Sequence, residues 1–387
     1  MKRKILHILG SLNIGGAENL VLDLARHALS DGAGNIEFHL VYMHRSNADR
    51  VELFNEAFAG RVQYIPCNKG GAATLKFIRL LRKYIAANGI EQIHCHNNID
   101  AYWAALASLF TGVKKQMLSV HGMNLNFRFL AGKMGCLQKM EKSLLSKMEI
   151  KYVSSVTKEF YEQQYGYSEL SGEIIYNGVD WSRFMASSKQ TNIKGEPWQQ
   201  QGKPIFLMAG SFSPDSRLQS LICRALAQIS QQDGELPFIF LFAGAQHPKY
   251  PELFEECVEI CREGGLLDKE IFFLGARRDV PAIMAAASGY VYASQKDTFG
   301  LSVIEAAGCG LPVICSDIPA LREVLQGGRL GKLLPNTQKD FAREIKALYA
   351  AVSSGNGQEE VQNNKAEQVR ELYSIENCFA NYYNKNW

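Results

Sequence analysis

Two carboxylates eight positions apart, Asp297 and Glu305, have the clearest chemical potential in this 387-residue chain. Asp297 follows an apolar, strand-like run that starts at Tyr290, and Glu305 lies in a helical pattern that ends near Gly310. A strand, a tight turn and a helix leave free backbone N–H groups at the helix start, near Gly300, which suit an anion such as a diphosphate. Carboxylates would repel that anion, so we expect them to bind neutral hydroxyls such as those of a sugar.

This stretch resembles the carboxylate signature of the family 4 retaining glycosyltransferases, acid-x-Phe-Gly-Leu-x-x-x-Glu followed by Ala-x-x-x-Gly-x-Pro-Val. The matching residues here are Asp297, Phe299, Gly300, Leu301, Glu305, Ala306, Gly310, Pro312 and Val313. The first acid is usually Glu in the family and is Asp in this chain. The resemblance implies that Asp297 holds hydroxyls of the transferred sugar and that Glu305 binds the ribose. It also implies that the helix start from Phe299 to Leu301 binds the donor diphosphate.

Two loops in the amino-terminal half resemble the same family. Gly15 and Gly16 follow the first predicted strand, and paired glycines let a backbone approach a phosphate closely. The absence of Gly-x-Gly-x-x-Gly argues against a nicotinamide-dependent dehydrogenase. The resemblance implies that Gly16 offers its N–H to the donor, and that His121, at the end of a later strand, contacts the transferred sugar.

Another predicted strand ends with His94, His96 and Asn97. Two histidines on one side of a strand suggest a metal pair, but no third ligand has clear spacing, so we expect no metal site. We instead assign His96 and Asn97 to the lining of the acceptor side.

The loop Ala209–Arg217 departs from the family pattern. There the family has Gly-Arg-x-x-x-x-Lys, whose two cations hold the leaving diphosphate. Here Ser211 stands at the arginine position and Ser216 at the lysine position, with Arg217 beside it. Because a guanidinium binds phosphate bidentately, we expect Arg217 to substitute. Arg277 lies in a loop that resembles the one facing the nucleobase; it either reaches the diphosphate or is simply solvated.

Short apolar runs alternate with helical patterns along nearly the whole chain, which predicts parallel sheets with helices on both faces. A polar, strand-poor stretch from Ser187 to Lys203 predicts a linker between a domain of residues 1–185 and one of residues 186–365. This pattern predicts an α/β fold in which two Rossmann-like parallel-sheet domains face a cleft, and the family resemblance implies that the fold is of the GT-B type. The last stretch, 366–387, has spare apolar residues and is predicted to pack back on the first domain.

Composition bounds the class of protein. A content of 47% hydrophobic and 21% charged residues with a net charge of +3 indicates a soluble globular protein and argues against nucleic acid as a partner. Nine cysteines without Cys-x-x-Cys spacing fit a reducing cytoplasm. No apolar run has the roughly 18 residues that a membrane span needs.

The segment 127–151 mixes six basic residues and two acids with apolar side chains. It is either a core-packed helix with a solvated charged face or a helix that rests on anionic lipid at the inner face of the cytoplasmic membrane. The second interpretation would suit an enzyme that glycosylates a lipid-linked acceptor.

The resemblance implies a retaining glycosyltransferase that moves a sugar from a nucleoside-diphosphate sugar to a glycan or lipid-linked acceptor, without a metal, in surface polysaccharide biosynthesis. No protein nucleophile is evident, so the leaving phosphate is expected to take the acceptor proton. Two alternatives stay open. The departures at Ser211 and Asp297 would suit a non-catalytic nucleotide-sugar-binding scaffold subunit. A sugar-nucleotide epimerase would need no acceptor, but the block from Asp297 to Val313 argues against it.

Overall fold

The computed structural model describes residues 2–13, 15–30, 35–67, 71–96, 98–123, 143, 145–165, 172–189, 196–214, 216–354 and 358–384. The chain forms two compact units. The first unit comprises Met1–Gly178 and Ile375–Trp387, and the second comprises Val179–Ser374.

The first unit contains a seven-stranded parallel sheet. Its strands are β1 (Arg3–Leu9), β2 (Ile36–Tyr42), β3 (Val62–Tyr64), β4 (Gln92–Cys95), β5 (Lys115–Val120), β6 (Glu149–Tyr152) and β7 (Glu173–Ile174). They lie in the order β3-β2-β1-β4-β5-β6-β7. The order reverses direction between β1 and β4, so the loops after these two strands diverge and leave a crevice at their carboxyl ends.

The second unit repeats this plan with six parallel strands. They are β8 (Ile205–Ala209), β9 (Ile239–Ala243), β10 (Ile271–Gly275), β11 (Gly289–Tyr292), β12 (Val313–Ser316) and β13 (Lys332–Leu334). Their order is β10-β9-β8-β11-β12-β13, which reverses between β8 and β11. Strand β9 reads Ile-Phe-Leu-Phe-Ala and is buried throughout, as expected for a parallel strand covered on both faces. The predicted α/β class with two Rossmann-like parallel sheets is confirmed.

Helices connect the strands and cover both sheets. They are α1 (Gly16–Ser30), α2 (Ala48–Ala57), α3 (Gly71–Asn88), α4 (Asn98–Ser108), α5 (Ser155–Tyr165), α6 (Trp181–Lys189), α7 (Gln219–Asp233), α8 (Glu252–Glu263), α9 (Val280–Ala286), α10 (Leu301–Gly308), α11 (Pro319–Val324), α12 (Gln338–Ser354), α13 (Gln358–Leu372) and α14 (Ile375–Tyr383). Within the ranges described, no helix is both long enough and apolar enough to cross a membrane.

The chain enters the second unit at Val179, earlier than the predicted boundary between residues 185 and 186. The side chain of Trp181 explains the difference. Its indole N–H donates to the carbonyl of Arg370 at 3.1 Å, and its ring lies where a Cβ on Gly308 would be. Helix α6 is therefore packed into the second unit.

The predicted terminal segment 366–387 is divided between the units. Residues up to Leu372 complete α13 in the second unit, and α14 belongs to the first. The break falls at Tyr373, whose hydroxyl donates to the carbonyl of Val324 at 2.8 Å, and at Ser374, which pairs with Val179. Helix α14 buries five residues against α1, β1 and β2: Ile375, Cys378, Phe379, Tyr382 and Tyr383.

Candidate functional site

The turn between β11 and α10 has the geometry of an anion site. Gly300 precedes the helix with φ 84° and ψ 46°, in the left-handed region, and a Cβ there would overlap the side chain of Leu321. Within the described part of the chain, the backbone N–H groups of Gly300, Leu301 and Ser302 have no hydrogen-bond partner. These three donors and the helix dipole suit a phosphate.

Asp297 stabilises this turn. Its Oδ1 accepts from the N–H of Thr298 at 2.7 Å and of Phe299 at 3.3 Å, and its Oδ2 accepts from the Tyr292 hydroxyl at 2.7 Å. The side chain is 11% exposed. An ionised carboxylate has about four acceptor positions, so roughly one remains for a ligand hydroxyl. The sugar-binding role stays a prediction, and the structure adds a role in shaping the helix start.

Arg217 lies at the same edge of the second sheet because the strand order reverses between β8 and β11. Its backbone pairs with Ser294, just after β11, and its Nη2 lies 3.9 Å from Asp297 Oδ2. The guanidinium packs over the Tyr292 ring, 5.8 Å from the centroid, and against Gly210, where a Cβ would lie 3.1 Å from Nε. Burial opposes its charge, but Tyr292 and Asp297 outweigh burial and raise the pKa of Arg217.

Among the described residues, the side chains of the two serines at the family's cation positions make only local contacts. Ser211 Oγ lies 3.0 Å from Ser213 Oγ, and the Ser211 carbonyl accepts from Gln219 at 3.1 Å. Ser216 Oγ accepts from Arg217 at 3.4 Å. Since residues 209–217 contain a single basic residue, Arg217 is the one formal positive charge that this loop offers.

Arg277 is held by two carboxylates. It donates to Asp279 through two bonds of 2.8 and 2.7 Å and to Glu196 at 2.7 Å. These acids raise its pKa, with Asp279 the larger cause. The predicted alternative of a simply solvated side chain is therefore wrong. A diphosphate would have to compete with both acids, so of the two candidate cations Arg217 is the better placed.

Three other predicted donor-binding residues contribute in different ways. Phe299 is 2% exposed and packs edge-on against Tyr373 at 5.8 Å, so its side chain belongs to the core and only its backbone faces the turn. Leu301 begins α10 and is half-buried. Glu305 is half-buried one turn further along, where its charge adds to burial in raising the pKa of Cys309 to about 12.

In the first unit, Gly15 and Gly16 lie where the chain leaves the carboxyl edge of β1 and enters α1. A Cβ on Gly15 would overlap the carboxylate of Glu18, so this glycine makes room for the acid in the first helical turn. Burial raises the pKa of Glu18, although its own backbone N–H and the charge of Arg50 oppose the rise. Gly16 is exposed at the helix start, as an anion-binding N–H requires.

His121 follows β5 and lies at the same edge of the first sheet. Its Nε2 is 3.1 Å from Nδ1 of His96, whose Nε2 is 3.0 Å from Nδ1 of His7. Burial lowers the pKa of His7 to about 3 and that of His121 to about 4. It also lowers the pKa of His94 and of His96 well below the usual value. All four histidines are therefore neutral near pH 7.

The structure supplies the third histidine that the sequence spacing did not reveal. His7, His94 and His96 bring ring nitrogens within 4.8 Å of one another. A metal needs nitrogens that converge on one point about 2.0–2.1 Å from each. The planes of the His7 and His96 rings instead lie within 7° of parallel with centroids 5.3 Å apart, and one nitrogen of each ring faces the other across 3.0 Å. This geometry is that of a hydrogen-bonded row.

The predicted acceptor-side residues have different outcomes. His96 is 5% exposed, and its two ring nitrogens face His7 and His121, so as placed it offers no free nitrogen to an acceptor. The lining role predicted for His96 is not supported by this placement. Asn97 lies outside the described residues, as does most of the segment 127–151 with its proposed membrane contact, at 127–142 and 144.

The two Rossmann-like sheets, with a turn suited to an anion beside a strand-order reversal, have the architecture typical of nucleotide-binding α/β proteins. Residues 14–183 match the model described as Glycosyltransferase Family 4, and residues 203–351 match the one described as Glycosyl transferases group 1. The chain belongs to the glycosyltransferase family that these two models describe. The predicted family and GT-B fold are confirmed, and the chain is a glycosyltransferase.

Known proteins agree with this placement. A phosphatidyl-myo-inositol mannosyltransferase of Mycobacterium tuberculosis is 24% identical over 335 residues, covering 84% of this chain and 80% of that protein. A glycosyltransferase structure from Rickettsia africae ESF-5 matches with a TM-score of 0.79 at 17% identity, over 99% of this chain and 97% of that one. Anabaena Alr3699/HepE, solved in complex with UDP and glucose, matches with a TM-score of 0.77 at 18% identity, over 99% and 98% of the two chains.

Proposed function

We propose that this glycosyltransferase acts with retention of anomeric configuration and moves a hexose from a nucleoside-diphosphate sugar to a glycan or lipid-linked acceptor. The observation that carries the proposal is the start of α10. There, three backbone N–H groups without partners in the described chain, one arginine and one carboxylate with a spare acceptor position lie together. The N–H groups and Arg217 suit the two phosphates, and Asp297 suits a sugar hydroxyl.

The predicted donor-site residues have the following roles in this proposal. Glu305 binds the ribose hydroxyls, and Gly16 and the α10 start bind the diphosphate. His121 contacts the transferred sugar. As the bond from sugar to phosphate breaks, negative charge grows on the leaving oxygen, and Arg217 stabilises it. The acceptor hydroxyl attacks the anomeric carbon on the same face, and its proton passes to the leaving phosphate.

Similarity to named proteins supports the substrate class. The Mycobacterium tuberculosis relative is named a phosphatidyl-myo-inositol mannosyltransferase, and one structural neighbour was solved in complex with UDP and glucose. We therefore propose a hexosyl donor and an acceptor on a glycan or lipid, with a role in surface polysaccharide biosynthesis at the inner face of the cytoplasmic membrane. Segment 127–151 is the proposed membrane contact, and sedimentation with anionic vesicles, against neutral ones, tests it.

The proposal needs two measurements. The first is a thermal-shift screen with UDP, GDP, ADP and their glucose and mannose conjugates, since a bound ligand raises the unfolding midpoint. The second is NMR of the sugar released by slow donor hydrolysis, recorded before it mutarotates. An α-linked donor should release the α-anomer. Release of the β-anomer would contradict retention, and no midpoint shift with any conjugate would contradict the donor class.

The reaction is proposed to need no metal, because the charge on the phosphates is met by Arg217 and backbone N–H groups. Turnover should therefore survive EDTA. Loss of turnover in EDTA that manganese restores would reveal a metal site.

A non-catalytic nucleotide-sugar-binding subunit is the second candidate. Its supporting observation is that Ser211 and Ser216 leave the β8–α7 loop with one cation instead of two. Tight binding of a donor without hydrolysis or transfer would favour this candidate over the first.

A further inference from the structure

A row of hydrogen bonds leads from His121 into the interior of the first unit and ends on α14. From His121 it passes in order through His96, His7, Tyr383, His94, Ser119 and Tyr382. The six bonds measure, in the same order, 3.1, 3.0, 3.3, 2.6, 2.7 and 3.0 Å. The six inner side chains are each 5% exposed or less, so bulk water does not reach them.

Neutral side chains in such a row must all point the same way. A neutral imidazole has one N–H donor and one acceptor nitrogen, and a hydroxyl has one hydrogen to donate. If one histidine were turned against its neighbours, two donors or two acceptors would face each other, and each buried group left unsatisfied costs about 1–3 kcal/mol. The lowered pKa values of the four histidines keep them neutral, which makes this rule apply.

The inner end determines the direction. Ser119 donates its hydroxyl hydrogen to the Tyr382 oxygen. Its own oxygen must then accept from Nε2–H of His94, at 2.7 Å. Nδ1 of His94 consequently carries no hydrogen and accepts from the Tyr383 hydroxyl. Tyr383, having donated to His94, accepts from Nε2–H of His7.

The same reasoning carries the direction to the surface of the sheet. Nδ1 of His7 accepts from Nε2–H of His96, and Nδ1 of His96 accepts from Nε2–H of His121. His121 is left with a bare Nδ1. This atom is buried and has no hydrogen-bond partner among the residues described.

We propose that the row fixes His121 as its Nε2–H tautomer and presents Nδ1 as a permanent acceptor, with His96, His7, Tyr383, His94, Ser119 and Tyr382 as positioning residues. The ligand this serves rests on the proposed function: a bare nitrogen accepts from a sugar hydroxyl and does not pair with a phosphate oxygen, which is itself an acceptor. The row thereby assigns His121 to the sugar and not to the diphosphate, and gives α14 a part in the site.

NMR of the ligand-free, full-length protein with ¹⁵N-labelled histidine tests the tautomer directly. Long-range proton–nitrogen correlations at pH 7 show which ring nitrogen carries the hydrogen. We expect the Nε2–H form for His121, His96, His7 and His94. A His121 that is charged or carries its hydrogen on Nδ1 overturns the proposal. Since no donor or acceptor is added, this result is independent of whether the protein transfers a sugar.

Tyr382→Phe tests whether the row is the cause. The change removes one oxygen and keeps the ring. Ser119 then has no acceptor at Tyr382 and donates to His94, so every bond in the row reverses and His121 carries its hydrogen on Nδ1. Turnover should fall about tenfold or more while UDP or GDP affinity stays unchanged, since the hydrogen bond that a sugar hydroxyl donates to the bare Nδ1 is lost.

Tyr84→Phe is the matched control. It removes another tyrosine hydroxyl in the same unit, one that bonds to Nδ1 of His39 at 3.1 Å and has no bond to the row. The His121 signals should match wild type in this control. If Tyr382→Phe also leaves the His121 tautomer unchanged, or if both variants change it equally, the row does not set the tautomer and the proposal fails.

Discussion

Replacement of Arg217 tests the donor site most directly. The guanidinium is the single formal positive charge of the β8–α7 loop, and within the described chain its buried Nε has no hydrogen-bond partner that a phosphate would need to displace. Loss of one preorganised donor to a developing oxyanion typically costs about 10²–10³ in kcat, or roughly 2.7–4 kcal/mol. Arg217→Ala should show a loss of this size, mainly in kcat, because the charge grows as the sugar–phosphate bond breaks. The kcat of Arg217→Lys should lie between those of wild type and Arg217→Ala, since an ammonium keeps the charge but cannot bind a phosphate bidentately.

Two controls make the Arg217 result specific. Arg322→Ala removes an exposed arginine of the same unit whose side chain pairs, among the described residues, with Asp317, and it should leave turnover within a factor of two or so. Ser211→Ala should change turnover equally little, because within the described chain that hydroxyl forms one hydrogen bond, to Ser213. Initial rates of nucleotide release at saturating donor measure all variants. Ser211→Arg, which restores the family pattern, should partly rescue Arg217→Ala. A wild-type kcat in Arg217→Ala would refute the reasoning. If Arg277→Ala at the same time had a strongly reduced kcat, Arg277 and not Arg217 would be the residue that stabilises the phosphates.

Three further predictions concern binding and stability. Glu305→Gln should weaken nucleoside-diphosphate affinity by about 1.5–3 kcal/mol through loss of a charged hydrogen-bond acceptor, and calorimetry showing unchanged affinity would reject the ribose role. Gly300→Ala should lower the free energy of unfolding, measured by chemical denaturation, by roughly 2–5 kcal/mol, because alanine is strained in the left-handed region and its Cβ would overlap Leu321. Gly327 has a similar backbone conformation but open space around it, so Gly327→Ala should lose only the backbone contribution. Because burial lowers the pKa of His7 to about 3 and of His121 to about 4, the unfolded chain binds protons that the folded chain does not. The free energy of unfolding should therefore be highest above about pH 6.5 and should fall between pH 6.5 and 4, by up to about 1.4 kcal/mol per pH unit for each histidine. A free energy of unfolding that is unchanged across that range would contradict the neutral state of these histidines.

The elements that the sequence predicts well are long and regular. The first predicted strand, the apolar run before Gly15, is β1, and the helical pattern that follows it is α1, because an apolar run and a 3.6-residue period are local properties. The strands β3 and β7 have three and two residues, too few to show a period. The break between α13 and α14 depends on the tertiary bonds of Tyr373 and Ser374, which no local pattern reports.

In the candidate site, too, the features that depend on local sequence were predictable and those that depend on tertiary contacts were not. The turn at Gly300 was predictable because strand, turn and helix are consecutive in the chain. His7 was missed as a partner of His96 because it belongs to a different strand, and only the order β1-β4-β5 brings the three histidine-bearing strand ends together. The pairing of Arg277 with Glu196 was missed for a similar reason, since the glutamate lies within the predicted linker, far from Arg277 in the sequence.

The charges at the start of α10 explain why a single arginine matters so much. Before a ligand binds, Arg217 lies 3.9 Å from Asp297, so their formal charges cancel. A diphosphate must then be held largely by the backbone N–H groups of Gly300 to Ser302 and by the helix dipole, which are fixed in place and cost no reorganisation when charge develops. Removing Arg217 leaves Asp297 as an uncompensated negative charge next to the phosphates. The substitution therefore takes away an attraction and also exposes a repulsion, whereas loss of a neutral serine does neither.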